Sequence, residues 1–285
     1  MQSLVKTNNA RVNTNTEKLI VTPQNEQDIL ELYQRFEHSS SDFKIFISKL
    51  KQSRSTNVVV KIGNVEKIQN EYQMWLLVQN TPNFAKFFSV FNCHNNLSNV
   101  NTGKPICSEN NKPPIAAIVM PYYNLGRIDH YKWTRKNFDV LKSVLKHAAC
   151  SVLKAYDDSK FVHRDLHLGN ILLCKSTLKA IQYTDKTNIE CLKLLPVIMD
   201  FERGAQSNDI RILYNDIKRM MMLIASELDD MKLDLSHVIN ALNNMASSSA
   251  PVTEHTYTTI YKNIDKIAIL YLMSERPKPN FSLPM

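Results

Sequence analysis

The sequence predicts an α+β fold: a small β-rich N-terminal part with one helix, then a mainly helical C-terminal part. Three observations predict it. Short apolar runs rich in β-branched residues crowd the stretch before residue 121, whereas helical periodicity dominates from about residue 137 onward. The 285 residues fit one large domain or two modest lobes around a cleft. Apolar residues at 44% and charged residues at 22% are ordinary for a globular chain, which argues against wholesale disorder.

Residues 1–25 are polar and rich in Asn and Thr, and read as a loose arm or one capping strand. FKIFISKL (43–50) and NVVVKIG (57–63), parted by the polar QSRST, predict a β-hairpin. A helix follows over 65–79, where Ile68, Tyr72, Trp75 and Leu76 recur at helical spacing. FAKFFSVF (84–91) reads as a strand, and the Asn-, Ser- and Pro-rich stretch 92–114 as a long surface loop. IAAIVM (115–120) reads as a buried strand closed by Pro121. A long amphipathic helix is expected over 137–159, packing through Val144, Leu145, Ala148, Val152 and Tyr156. The strand ILLC, an insertion at 175–193 expected to be solvated loop, and the strand PVIMD come next. From Ile210 the pattern is helical, with a Ser-rich break near 246–253.

Composition excludes several classes. Five glycines in 285 residues are about 2%, against an average near 7%. Neither G-x-G-x-x-G nor G-x-x-x-x-G-K-[ST] occurs, so a nucleotide site must be built without the usual glycine loops. The net charge of +8 favours acidic partners, but the basic residues are spread along the chain, so nucleic acid is not an expected partner. The five cysteines form no C-x-x-C pair and signal neither zinc nor a disulfide framework. No signal-peptide core and no apolar run of about 18 residues is present, so an intracellular, cytoplasmic or nuclear protein without membrane contact is expected.

The chemistry concentrates in His163-Arg164-Asp165-Leu166-His167-Leu168-Gly169-Asn170, which fills every fixed position of H-R-D-x-x-x-x-N between a helix and a strand. In that pattern Asp165 accepts the proton of an acceptor hydroxyl, and Asn170, five residues on, turns back to hold magnesium. Met199-Asp200-Phe201-Glu202 follows a strand and offers Asp200 as a second magnesium ligand. Val58-Val59-Val60-Lys61 ends on a lysine suited to α- and β-phosphates. Its partner is expected on the next helix, where Glu66 lies on a polar face and Glu71 on the apolar stripe between Ile68 and Trp75. A carboxylate on a packing face needs a partner, which selects Glu71.

From Phe43 to Leu228 these motifs, in this order, resemble the eukaryotic-type protein-kinase superfamily. The resemblance implies a bilobal protein-kinase-like fold, ATP and magnesium as cofactors, and a serine or threonine of a protein as acceptor. It implies Met120 as gatekeeper and Tyr122 and Tyr123 as hinge, with the Pro121 carbonyl and the Tyr123 N–H meeting adenine. It also implies that Ser39, Ser40 and Ser41 stand where a glycine loop covers the phosphates. Asp216 resembles the aspartate that braces the catalytic loop. His167 replaces the usual catalytic-loop lysine, as in haspin-type kinases. The 15 residues between Asp200 and Asp216 hold no A-P-E, implying activity without loop phosphorylation. The compact frame and the Asn-, Lys- and Ile-leaning composition resemble kinases of large DNA viruses.

The predicted organisation is an arm (1–25), a kinase N-lobe and hinge (26–123, with loop 92–114), a C-lobe (124–277, with insertion 175–193) and a tail (278–285). Asp165, Lys61, Asn170 and Asp200 are the expected catalytic residues, and Asn170 and Asp200 the metal ligands. Lys61, Glu71, Met120, Pro121, Tyr123 and Ser39–Ser41 are the expected nucleotide contacts, and a monomer is expected. Two other readings stand beside this one: a small-molecule kinase of choline- or aminoglycoside-kinase type, which D-F-E resembles, and a pseudokinase scaffold.

Overall fold

The computed structural model describes residues 34–35, 43–50, 53–92, 115–228, 232–249 and 251–269. The fold is α+β. A sheet of order β1-β2-β3-β5-β4 is built from Gln34–Arg35, Phe43–Leu50, Ser53–Asn64, Ile115–Pro121 and Ser89–Asn92 as β1, β2, β3, β5 and β4. The predicted hairpin forms as β2 and β3, antiparallel, with Ile45 opposite Lys61. In β3 the side-chain period of two puts Val58, Val60 and Ile62 on one face, where they pack with Phe46, Ala117 and Val119. Lys61 therefore faces the other way, toward helix α1 (Val65–Val78).

Helix α1 starts where Asn64 Oδ1 accepts from the Glu66 N–H at 2.8 Å, a side-chain cap. It buries Ile68, Glu71 and Val78. The run 84–91 is only partly strand. The ladder begins at Ser89, while Phe84 makes a single parallel bridge to Ile198. There the chain crosses to the C-terminal part: the Ala85 N–H donates to the Ile198 carbonyl, and the Ile198 N–H to the Asn83 carbonyl.

Helix α2 (Phe138–Ser159) carries the expected face, with Val144, Leu145, Ala148, Val152 and Tyr156 all buried. It ends on Lys160 in the left-handed region, whose N–H caps the Tyr156 carbonyl. Strand β6 (Phe161–Val162) pairs with β11 (Ala205–Gln206), and β7 (Ile171–Lys175) with β10 (Leu194–Ile198). PVIMD thus leaves its strand at Ile198, freeing Met199 and Asp200 from the ladder. Helices α3 (Ile210–Glu227), α4 (Ser236–Ser248) and α5 (Glu254–Asp265) complete the core, and β12 (Leu233–Asp234) pairs with β13 (Ala268–Ile269).

The insertion 175–193 is not solvated loop. It folds as a hairpin, β8 (Ala180–Gln182) with β9 (Asn188–Glu190), and buries Ile181, Tyr183 and Ile189. Tyr183 completes a buried polar network. The Asn83 amide donates to its hydroxyl at 2.6 Å, His147 Nδ1 lies 2.8 Å away, and His147 Nε2 donates to the Glu190 carbonyl at 3.1 Å. These contacts pay for placing polar groups on the packing face of α2. The loop 93–114, the arm 1–25, Ser39–Ser41 and the tail lie outside the described residues.

Candidate active site

Of the two glutamates on α1, Glu71 meets Lys61. Lys61 Nζ lies 2.7 Å from Glu71 Oε2 and 2.7 Å from Asp200 Oδ1, with the Lys61 and Glu71 side chains only 5% and 1% exposed. The Phe43 ring closes the third side, its centroid 4.1 Å from Nζ. Burial pulls the ammonium pKa down, but the two carboxyl groups outweigh it, so Lys61 stays protonated. Burial pushes the Asp200 carboxyl up. The charge and hydrogen bond of Lys61, aided by His163 and His167, hold it below the usual carboxylate value.

The loop from His163 to Asn170 is held from beneath by α3. The Asp216 carboxylate accepts the N–H groups of His163 and Arg164, both at 2.9 Å, the second from a residue at φ +64°. Asp200 is also left-handed, at φ +67°, and such non-glycine outliers gather at functional sites because the surroundings must hold them there. Asn170 Nδ2 donates to the Asp165 carbonyl at 3.0 Å, and the Met199 N–H to the Asn170 carbonyl at 3.0 Å. The loop and the Asp200 segment are thereby one unit.

His167 folds back over its own turn. Its Nδ1 accepts the Gly169 N–H at 3.0 Å, so in the neutral ring Nε2 carries the proton, 3.9 Å from Asp165 Oδ2. A Cβ on Gly169 would sit 2.7 Å from His167 Cε1, so a larger residue there would push the His167 ring away from this turn. Burial lowers the His167 pKa, with Arg219 and His163 adding to it against the pull of Asp165.

Phe201 is fully buried between the two halves, its ring centroid 5.8 Å from both Phe84 and Phe87 and 6.1 Å from His163. Phe87 stacks in turn on Trp75 of α1 at 5.0 Å. Glu202, where the resemblance expects glycine, has no positive φ and so no need of one. Its carbonyl accepts from Asn70 Nδ2 at 2.8 Å and its carboxylate lies 3.4 Å from Lys67 Nζ, tying this segment to α1.

Lys61, Glu71, Asp200, Asn170 and Asp165 thus line one region. Met120 is buried in β5, Pro121 ends that strand opposite Val58, and the Tyr123 carbonyl accepts the Gly126 N–H just beyond it. Ser39, Ser40 and Ser41 fall outside the described residues. Sequence reasoning missed Phe43, Arg203 and Arg219. Arg219 Nη1 lies 3.1 Å from Asp165 Oδ1 and Arg203 Nη1 3.6 Å from Asp165 Oδ2. A signal for Arg219 existed, since it follows Asp216 by three residues and so shares its helix face. Among the described residues no three His, Cys, Asp or Glu side chains cluster as a metal site, and no helix is long and apolar enough to cross a membrane.

The chain has a distant protein-kinase-like relationship. Over 127 residues it is 29% identical to the serine/threonine-protein kinase haspin of Bos taurus, covering 43% of this chain and 16% of that protein. Over 116 residues it is 30% identical to a serine/threonine-protein kinase haspin homolog of Arabidopsis thaliana, covering 39% of this chain and 19% of the relative. The chain spans less than a fifth of the length of the curated relatives it matches. No protein-family model matches it. The viral likeness rests on frame and composition alone; both relatives named here are cellular proteins, from an animal and a plant.

Proposed function

We propose that the chain is a bilobal kinase that transfers the γ-phosphoryl group of ATP to a serine or threonine hydroxyl of a protein. Residues 26–123 form the N-lobe and hinge in this reading, and 124–277 the C-lobe. The observation that carries it is the lysine bridge, with Nζ at 2.7 Å from both Glu71 and Asp200, because it ties α1, the sheet and the loop after β10 into one phosphate-facing cluster. The distant likeness to protein kinases supports the same reading.

Lys61 binds the α- and β-phosphates, and adenine lies against Met120, the Pro121 carbonyl and the Tyr123 N–H. Asp200 and Asn170 fit magnesium. Both offer oxygen donors, Asn170 Nδ2 is turned to the Asp165 carbonyl so that its Oδ1 is the remaining donor, and such ions take one or two protein ligands besides phosphate and water. Bound there, the ion neutralises charge developing on the β- and γ-phosphates. Asp165 orients the acceptor hydroxyl and takes its proton. The new oxygen–phosphorus bond forms as the bond between the γ-phosphorus and the bridging oxygen breaks, and ADP leaves.

Transfer of labelled γ-phosphate with magnesium, comparing wild type with Asp165→Asn on protein, choline-like and aminoglycoside acceptors, tests this. Transfer to protein is expected to fall by about 10²- to 10⁴-fold in the variant, the range of a lost general base. Transfer confined to small molecules would replace the acceptor class. ATP binding without turnover in the wild type would leave a scaffold.

A further inference from the structure

The side chain of Asp165 is faced by two guanidinium groups that arrive from different elements. Arg219 comes from α3 and Arg203 from the segment after Asp200, and their side chains are 50% and 71% exposed. Asp165, by contrast, is only 15% exposed, and each of its oxygens has one arginine. Among the described residues, the carboxylate within ion-pair distance of either arginine is that of Asp165 itself. The neighbouring acids are committed elsewhere: Asp200 to Lys61, Glu202 to Lys67, Asp209 to Arg211, and Asp216 to the backbone of the loop. The mouth of the site therefore carries two cations against one anion.

An acceptor hydroxyl must reach Asp165 past these arginines, and one guanidinium has to yield a carboxylate oxygen. A neutral acceptor leaves that arginine without a counter-ion. An acceptor that brings its own anion gives it a planar, bidentate partner of the kind a guanidinium matches best. The overall charge of +8 acts in the same direction, since it draws acidic chains toward the surface.

Resting on the phosphoryl-transfer reading above, we propose that Arg203 and Arg219 are specificity-determining residues that select a serine or threonine flanked by anionic groups, carboxylate or phosphate. An extended chain advances about 3.5 Å per residue, which puts the anion about one to three residues from the acceptor.

The test uses the full chain with magnesium and ATP on peptides that share one serine. Their flanks, one to three residues away on either side, are alanine, aspartate and glutamate, phosphoserine, or lysine. The expected result is kcat/KM about tenfold or more higher with anionic than with alanine flanks, carried mainly by KM, and lowest with lysine. The double variant Arg203→Gln/Arg219→Gln brings the anionic-to-neutral ratio to within about twofold, and Arg→Lys at both positions restores part of it. The aspartate and phosphoserine arms show which anion is read. Equal transfer to neutral and anionic peptides, a preference for lysine flanks, or an anionic preference that survives in the double variant overturns the proposal while leaving phosphoryl transfer intact. No transfer to any peptide overturns the proposal together with the reading it rests on.

Discussion

Two ionic clusters meet at the segment that follows β10, and they are built on opposite plans. In one, a single ammonium, Lys61, lies between two carboxyl groups, Glu71 and Asp200, and its side chain is 5% exposed. In the other, a single carboxylate, Asp165, lies between two largely exposed guanidinium groups. A buried charge cannot swap its partner for water without a large desolvation penalty, so the first cluster fixes geometry. A guanidinium that is half exposed or more exchanges its partner for water at little cost, so the two arginines of the second can yield. In the phosphoryl-transfer reading proposed for this chain, the difference would separate a rigid nucleotide side from an adaptable acceptor side.

The largest effect is expected where the first cluster is broken. Lys61→Met keeps most of the side-chain length but leaves Glu71 and Asp200 without their cation, and loss of one partner of a buried pair costs about 3–5 kcal/mol. Denaturant unfolding should show that loss, with phosphoryl transfer abolished. Arg219→Gln, measured the same way, should cost no more than about 1 kcal/mol. Equal costs for the two variants would erase the contrast.

Burial draws the same line between two histidines. His147 is fully buried in α2, and burial, aided by Lys146 against the hydrogen bond to the Glu190 carbonyl, pulls its pKa from 6.5 to about 4. The folded state therefore holds the neutral ring while the unfolded chain takes up a proton. Stability is full above pH 6.5, declines as pH falls from there toward about 4, and is level below. A shift of that size corresponds to about 3 kcal/mol. Unfolding free energy followed from pH 7.5 to 4 should show this decline, and His147→Gln should flatten it. His167, partly exposed beside Asp165, is also held toward the neutral form, but its protonation alters the surroundings of Asp165 rather than the core.

Much of the first cluster was legible in the sequence and little of the second. The position of Glu71 follows from helical spacing, because a carboxylate between Ile68 and Trp75 had to face inward, where β3 places Lys61. The H-R-D loop announced itself by fixed spacing, and the strand and helix boundaries around it fell within a residue or two. Of the arginines, Arg219 left a trace in its three-residue spacing from Asp216, whereas Arg203 left none, because it reaches Asp165 through tertiary packing that no local period encodes. The hairpin in 175–193 escaped for a different reason. Strands of three residues are too short for alternation to register, and their worth lies in Tyr183 reaching the network around His147. Phe84 to Phe88 read as strand because they are apolar, yet Phe84 and Phe87 serve the aromatic contact with Phe201 rather than a sheet ladder.

The smallest effect concerns Glu202, which stands where the resemblance expects glycine. Its carbonyl holds Asn70 whatever the side chain, so Glu202→Gln removes the ion pair with Lys67, at 3.4 Å and partly exposed on both sides, and a small repulsion on Glu71. Such a pair is worth about 0–1 kcal/mol in dilute buffer. At about 1 M salt the screening length falls to roughly 3 Å, and the difference between variant and wild type should vanish. The Lys61 bridge, shielded from solvent, should show no comparable salt dependence. Unfolding of wild type and Glu202→Gln at low and high salt reads both at once. A difference that persists at 1 M would mean that Glu202 holds α1 as Glu71 holds Lys61, by a contact that water does not reach.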